Sequence, residues 1–165
     1  MDRRRFVLTA LGAGTGALAF SRVLQAQQRT AQGALPPMTV YKSASCGCCS
    51  EWVAYARKSG FTVKTVDTED LASVKAELGI PPRLQSCHTV VMGPYLLEGH
   101  VPAEDVRKMF ATKPKVRGLA VPGMPLGAPG MEQGSPADYQ RYDVVAFTAA
   151  GAMSVFSTHG PAKRG

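Results

Sequence analysis

Three cysteines fall within four residues at Cys46-Gly47-Cys48-Cys49, and a fourth stands alone at Cys87. Cys46 and Cys49 have the C-x-x-C spacing that lets two thiols exchange with a disulfide, while Cys48 adds a sulfur that exchange does not need. Surplus sulfur points to soft-metal chemistry: Cu(I) prefers two or three thiolate donors, and Zn2+ takes four ligands among which thiolate is common. Adjacent Cys48 and Cys49 would close a strained ring if bonded to each other, so the expected local disulfide is Cys46–Cys49, with Cys48 left free. Four cysteines in 165 residues are too few for a disulfide framework, which makes their role chemical rather than structural.

Other donors compete with plainer roles. His88 adjoins Cys87 and is a candidate metal ligand, although strand alternation that turns Cys87 toward a site turns His88 away from it. His100, just ahead of Pro102, fits ligation or a loop role at a helix start. Met124 and Met131 lie in a Gly/Pro-rich stretch, 121–134, and a thioether is a soft copper donor, so Met124 is a candidate ligand set against a packing role. Met92 and Met109 suit core faces, Trp52 suits a shield over the site three residues after Cys49, and His159 falls in an expected mobile tail.

The elements that must position these groups begin after an export signal. Residues 1–26 open with Asp2-Arg3-Arg4-Arg5-Phe6-Val7 and continue through an apolar stretch diluted by glycine and threonine, the pattern of a twin-arginine signal peptide. That stretch, about 15 residues, is shorter than the roughly 20 of a spanning helix, so contact with a membrane is expected only through the signal. Its removal takes away four arginines and one aspartate and lowers the net charge from +7 to +4. The remaining basic residues are scattered among acids with no stripe interleaved with aromatics, which argues against nucleic-acid binding. A periplasmic location follows, in an oxidising compartment where exposed thiols persist only as metal ligands, as disulfides, or with a reducing partner.

Residues 27–37 read as a flexible linker, 38–159 as one folded domain and 160–165 as a tail. Within the domain, strands are expected over 38–41, 61–66, 88–92 and 95–97, and helices over 50–59, 70–78 and 102–110, with a C-terminal hairpin at 144–147 and 153–156. The fold class is α/β: a thioredoxin-like β-α-β-α-β-β-α body, an irregular Gly/Pro/Met loop and the hairpin. In that architecture the first strand delivers the Cys46–Cys49 run to a helix N-terminus, where unpaired N–H groups favour thiolate, and the loop carrying Cys87 closes against it.

The motifs also carry a resemblance. Cys-Gly-Cys-Cys followed by Trp52, then Gly60-Phe61, Ser86-Cys87-His88-Thr89, Glu98-Gly99-His100-Val101-Pro102, Gly118 to Pro125, and Pro129-Gly130-Met131 together resemble the exported CopG-type copper-resistance proteins over about residues 38–159. The resemblance implies a thioredoxin-like fold, a thiolate-rich copper site and a role in periplasmic copper handling alongside other copper-handling proteins. Three readings stand at this point: Cu(I) held by Cys46, Cys48, Cys49 and Cys87 with room for a small cluster; a thiol-disulfide or copper oxidoreductase in which Cys46 attacks and Cys49 resolves; and a Zn2+ site that staples the fold.

Overall fold

The computed structural model describes residues 35–161. The expected signal peptide, most of the expected linker and the end of the expected tail lie outside them. Ten regular elements follow in order: β1 (Met38–Lys42), α1 (Gly47–Lys58), β2 (Val63–Asp67), α2 (Leu71–Leu78), β3 (His88–Met92), β4 (Tyr95–Glu98), α3 (Ala103–Thr112), β5 (Gly118–Ala120), β6 (Tyr142–Phe147) and β7 (Met153–His159). Through α3 this is the expected β-α-β-α-β-β-α order, compatible with a thioredoxin-like body.

The strands form one sheet in the order β2-β1-β3-β4-β5-β6-β7. β1 and β2 are parallel, as a strand–helix–strand crossover requires, while β3 runs antiparallel to both β1 and β4. The fold is therefore α/β with helices on both faces. On one face α1 buries Cys49, Trp52, Val53 and Ala56, the i, i+3, i+4, i+7 stripe of an amphipathic helix. There α1 meets the start of α3, where the Tyr55 hydroxyl accepts from the Ala103 N–H at 2.9 Å. On the other face α2 is held by its caps: the Asp70 carboxylate accepts from Ser73 N–H at 3.0 Å, and Gly79 closes the helix in the left-handed region.

An apolar core packs against the centre of the sheet. Val40, Val90, Met92, Leu97, Val106 and Met109 have no exposed surface, in keeping with the core roles expected of Met92 and Met109. A second cluster of Ile80, Leu84, Leu96, Ala120 and Phe147 ties β4 and β5 to the Pro82–Leu84 turn and to β6.

Element ends shift by a few residues from expectation, and three differences bear on the site and the sheet. Helix α1 starts at Gly47 rather than Ser50, because Cys46 takes the capping position and the cysteines themselves form the first turn. β5 was not expected at all: three residues are too few to show alternation, yet they pair parallel to β4 and antiparallel to β6, so the C-terminal hairpin joins the main sheet. His159 is not in a tail but ends β7, where Asp105 holds it at 2.6 Å. Among the described residues no helix is long and apolar enough to cross a membrane.

Candidate metal centre

The short loop after β1 turns the chain into α1 so that Cys46, Cys48 and Cys49 occupy the helix start. The Sγ atoms of Cys46, Cys48, Cys49 and Cys87 all lie within 4.8 Å of one another. Cys46 and Cys49 are joined as the expected disulfide, and Cys48 and Cys87 are free thiols. Cys48 Sγ sits 3.6 Å from Cys46 Sγ and 3.9 Å from Cys87 Sγ, so it bridges the disulfide and the lone cysteine. Cys46, as N-cap, makes no side-chain capping bond, and the cysteine run lies at the positive end of α1.

Behind Cys87 stand two imidazoles. His100 Nε2 is 3.1 Å from Cys87 Sγ, and its Nδ1 lies 2.7 Å from the Pro129 carbonyl. A carbonyl only accepts, so Nδ1 carries the proton and the Nε2 lone pair faces the sulfur. His88 Nδ1 is 3.3 Å from the same sulfur, while its Nε2 is the one buried side-chain nitrogen or oxygen among the described residues without a hydrogen-bond partner. The alternation argument against His88 fails because β3 begins at His88: Cys87 precedes the pleat and is free to bend toward the site, and His88 itself faces α1. Its ring lies 4.7 Å from Trp52 and 5.1 Å from His100, centroid to centroid. Trp52 is the expected shield, buried and anchored by an indole N–H donated to the Val101 carbonyl at 3.1 Å.

On the opposite face of β3 and β4 a buried polar network fixes the two loops that carry Cys87 and His100. Glu98 accepts from Lys75 Nζ at 2.5 Å, from the Thr89 hydroxyl at 2.6 Å and from the Ser86 backbone N–H at 2.6 Å. Thr89 and Glu98 are cross-strand partners, and Lys75 also donates to the Thr89 hydroxyl at 2.8 Å. One carboxylate thus holds the residue before Cys87 and stands two residues before His100. Gly99 between them adopts φ +71°, and a Cβ there would come within 2.7 Å of the Val121 carbonyl. Gly130 does the same for the covering loop: at φ +79° a Cβ there would come within 2.6 Å of the Trp52 backbone nitrogen.

Burial dominates the electrostatics. It pushes the Cys87 thiol up to about 12, with Cys48 adding to the rise, so the metal-free thiol is protonated. Burial also carries His88 well below the ordinary histidine value, reinforced by His100, Lys75 and Lys42. His100 is lowered by burial as well, against the opposing pull of the Pro129 carbonyl. The Glu98 carboxyl is raised by burial, with Lys75, Thr89 and Ser86 resisting.

The structure therefore brings together six of the seven expected ligands: Cys46, Cys48, Cys49, Cys87, His88 and His100. Met124 stays exposed, in a loop tied to the site by the Ser86 hydroxyl, which donates to the Gly123 carbonyl at 2.5 Å. Lys75, Thr89 and Glu98 were missed as site residues; isolated in sequence, a lysine and a glutamate read as ordinary surface charges.

Two solved structures share this arrangement of chain. Copper resistance protein copG, Form 2, is 40% identical, matches 76% of this chain and 98% of its own, and superposes with a TM-score of 0.71. This chain belongs to the CopG copper resistance protein family. Form 1 of the same protein is 38% identical over 78% of this chain and 100% of its own, again with a TM-score of 0.71. Residues 84–131 match the family model described as Protein of unknown function, DUF411, a span that holds Cys87, His88, His100 and Met124 but not the cysteine run. No curated protein matches the chain. Membership in the CopG family agrees with the resemblance carried by the motifs.

Proposed function

We propose that this protein handles copper in the periplasm, binding Cu(I) through the thiolates of Cys46, Cys48, Cys49 and Cys87. The observation that carries the reading is the convergence of four sulfurs within 4.8 Å, a donor set whose softness suits Cu(I) and whose number allows sulfur to bridge several ions. Similarity to the solved copper resistance proteins supports copper as the cargo. Loading requires the Cys46–Cys49 disulfide to open, which takes two electrons and two protons from a dithiol donor that itself leaves as a disulfide. His88 and His100 flank Cys87 as further donors, and Met124 supplies an exposed thioether in the loop beside it.

The test is X-ray absorption on reduced protein loaded anaerobically with Cu(I). The expected first shell is sulfur, with more than one thiolate per copper; a shell of nitrogen and oxygen would overturn the reading. Export through the twin-arginine route is tested by Arg3→Lys with Arg4→Lys, which should retain the protein in the cytoplasm.

A second reading, thiol-disulfide or copper oxidoreductase, is favoured by the disulfide at a helix N-terminus. It predicts a reversible two-electron couple in metal-free protein, with Cys46 as the attacking thiol and Cys49 resolving.

A further inference from the structure

We propose that the end of the domain opposite the metal centre docks on an anionic phospholipid surface through Lys113, Lys115 and Arg117, a contact beyond the one expected of the signal. Basic residues scattered along the sequence collect here in space. Residues 106–117 hold Arg107, Lys108, Lys113, Lys115 and Arg117 and no acid. All five are exposed, and none makes an ion pair among the described residues. Arg107 donates to the Ser59 carbonyl and covers the Phe61 ring, and Lys108 Nζ lies 4.8 Å over the Phe156 ring. The other three stand on the loop between α3 and β5.

Lys113 leaves α3 with φ +47°, and exposure then alternates: Lys113, Lys115 and Arg117 are exposed, while Pro114 and Val116 are half-buried. The three cations therefore project together from an anchored base. The Tyr95 hydroxyl donates to the Pro114 carbonyl at 3.4 Å, Leu96 N–H donates to the Arg117 carbonyl at 3.0 Å, and Phe110 packs edge-on against Tyr95.

Strand register fixes where this loop lies. Met38 pairs with Met92 and Lys42 with His88, so β1 separates the Gly93-Pro94 turn from the metal centre by about 13 Å. Leu96, just past that turn, pairs with Gly118, which sets the basic loop at the end away from the cysteines. The last turn of α1, with Arg57 and Lys58, returns to the same end, where Met38 N–H donates to the Thr62 carbonyl at 2.8 Å. Acids stand at the metal-centre end: Asp67 opposite Lys42, and Glu104 and Asp105 in the first turn of α3. Lys42 and Lys75 there are already paired, with Asp67 and Glu98. The domain is thus polarised along its strands.

Two observations favour a bilayer over an acidic protein as the occupant. The chain enters the domain at this end: Pro36 Cγ lies 3.0 Å from the position a Gly93 Cβ would take, and Phe110 Cε1 lies 3.9 Å from the same point. The apolar stretch over residues 6–20, which precedes Pro36 in sequence, is the segment expected to meet a membrane. The loop also alternates cations with half-buried Pro114 and Val116, a mixture suited to the level of anionic headgroups. Docked this way, the metal centre faces away from the bilayer.

The test is co-sedimentation of the full chain with vesicles of phosphatidylcholine, alone or with about 30 mol% phosphatidylglycerol. Binding at about 50 mM NaCl should be at least tenfold stronger with phosphatidylglycerol, and that excess should vanish at about 500 mM. Lys115→Gln should weaken it about fivefold, and Lys113→Gln, Lys115→Gln and Arg117→Gln together about 100-fold. Arg141 is exposed just before β6, at the opposite end because β6 runs antiparallel to β5, so Arg141→Gln should bind as the parent does. All proteins carry the same N-terminal segment, so binding through it is common to them and persists with phosphatidylcholine. Equal urea midpoints check that the exposed substitutions leave the fold intact. A polar maleimide should alkylate Cys48 as fast on vesicles as in solution, and protection of Cys48 would contradict the orientation. Equal binding to both vesicles, or equal losses in Arg141→Gln and Lys115→Gln, would overturn the proposal. So would salt-sensitive retention on polyglutamate without preference for phosphatidylglycerol, which would assign this end to an acidic protein.

Discussion

At the front of the site, Cys46 and Cys48 are half-exposed at the first turn of α1, with a covalent link that opens and closes. Behind them, His88, His100, Thr89 and Glu98 have no exposed surface; Thr89 and Glu98 are held by Lys75 and Ser86, and His100 by the Pro129 carbonyl. The front sets a disulfide beside a free thiol; the rear wall is fixed by hydrogen bonds. Cys87 belongs to both, since its sulfur meets Cys48 on one side and both imidazoles on the other. The difference teaches that the cysteines at the start of α1 stand against residues that never touch solvent, and it leads us to expect that Cys46 and Cys48 contribute less to holding the fold than the rear wall does.

The strongest challenge to this contrast is Lys75→Met. It leaves the Glu98 carboxyl buried without its cation, and unfolding in urea should show a loss of about 3–5 kcal/mol. A loss near zero would mean that the rear wall is not what fixes the loops. Acid tests the same wall. Burial lowers both imidazoles below the ordinary value of 6.5, so the unfolded chain takes up protons first. Stability is therefore full above pH 6.5 and falls as pH drops toward the folded values, by up to about 2 kcal/mol per imidazole between pH 7 and pH 5. Urea titrations of His100→Gln should show a shallower acid slope than the parent protein.

Effects at the front should be smaller. Cys46→Ser removes a disulfide that closes only a short loop, which the chain-entropy account values at about 2 kcal/mol or less. Cys48→Ser removes a half-exposed thiol and should change the unfolding midpoint by no more than about 0.5 kcal/mol, while disturbing metal binding. A large stability loss in Cys48→Ser would erase the distinction between front and rear.

How much of this could be read in the chain differs in the same way. The sulfur cluster was legible because four chemically singular residues sit at spacings with few other meanings, and the strand–helix junction followed from ordinary periodicity. Gly60 and Gly79 marked the helix ends correctly. The rear wall was not legible: Lys75, Thr89 and Glu98 are brought together by strand register between β3 and β4 and by the packing of α2, neither of which leaves a local pattern. His88 was kept as a candidate ligand although strand alternation argued against it; that rule holds only within a strand, and Cys87 lies one residue before β3 begins. β5 was too short to announce itself, and His159 needed the α3–β7 contact with Asp105 to become more than a terminal residue.

The most direct test of the central claim is anaerobic Cu(I) titration of reduced protein, in parent and Cys87→Ser forms, against a Cu(I)-selective chelator. Convergence of four sulfurs predicts that Cys87→Ser binds fewer copper ions per chain and holds them at least tenfold more weakly. Equal stoichiometry and equal affinity in the two proteins would contradict it.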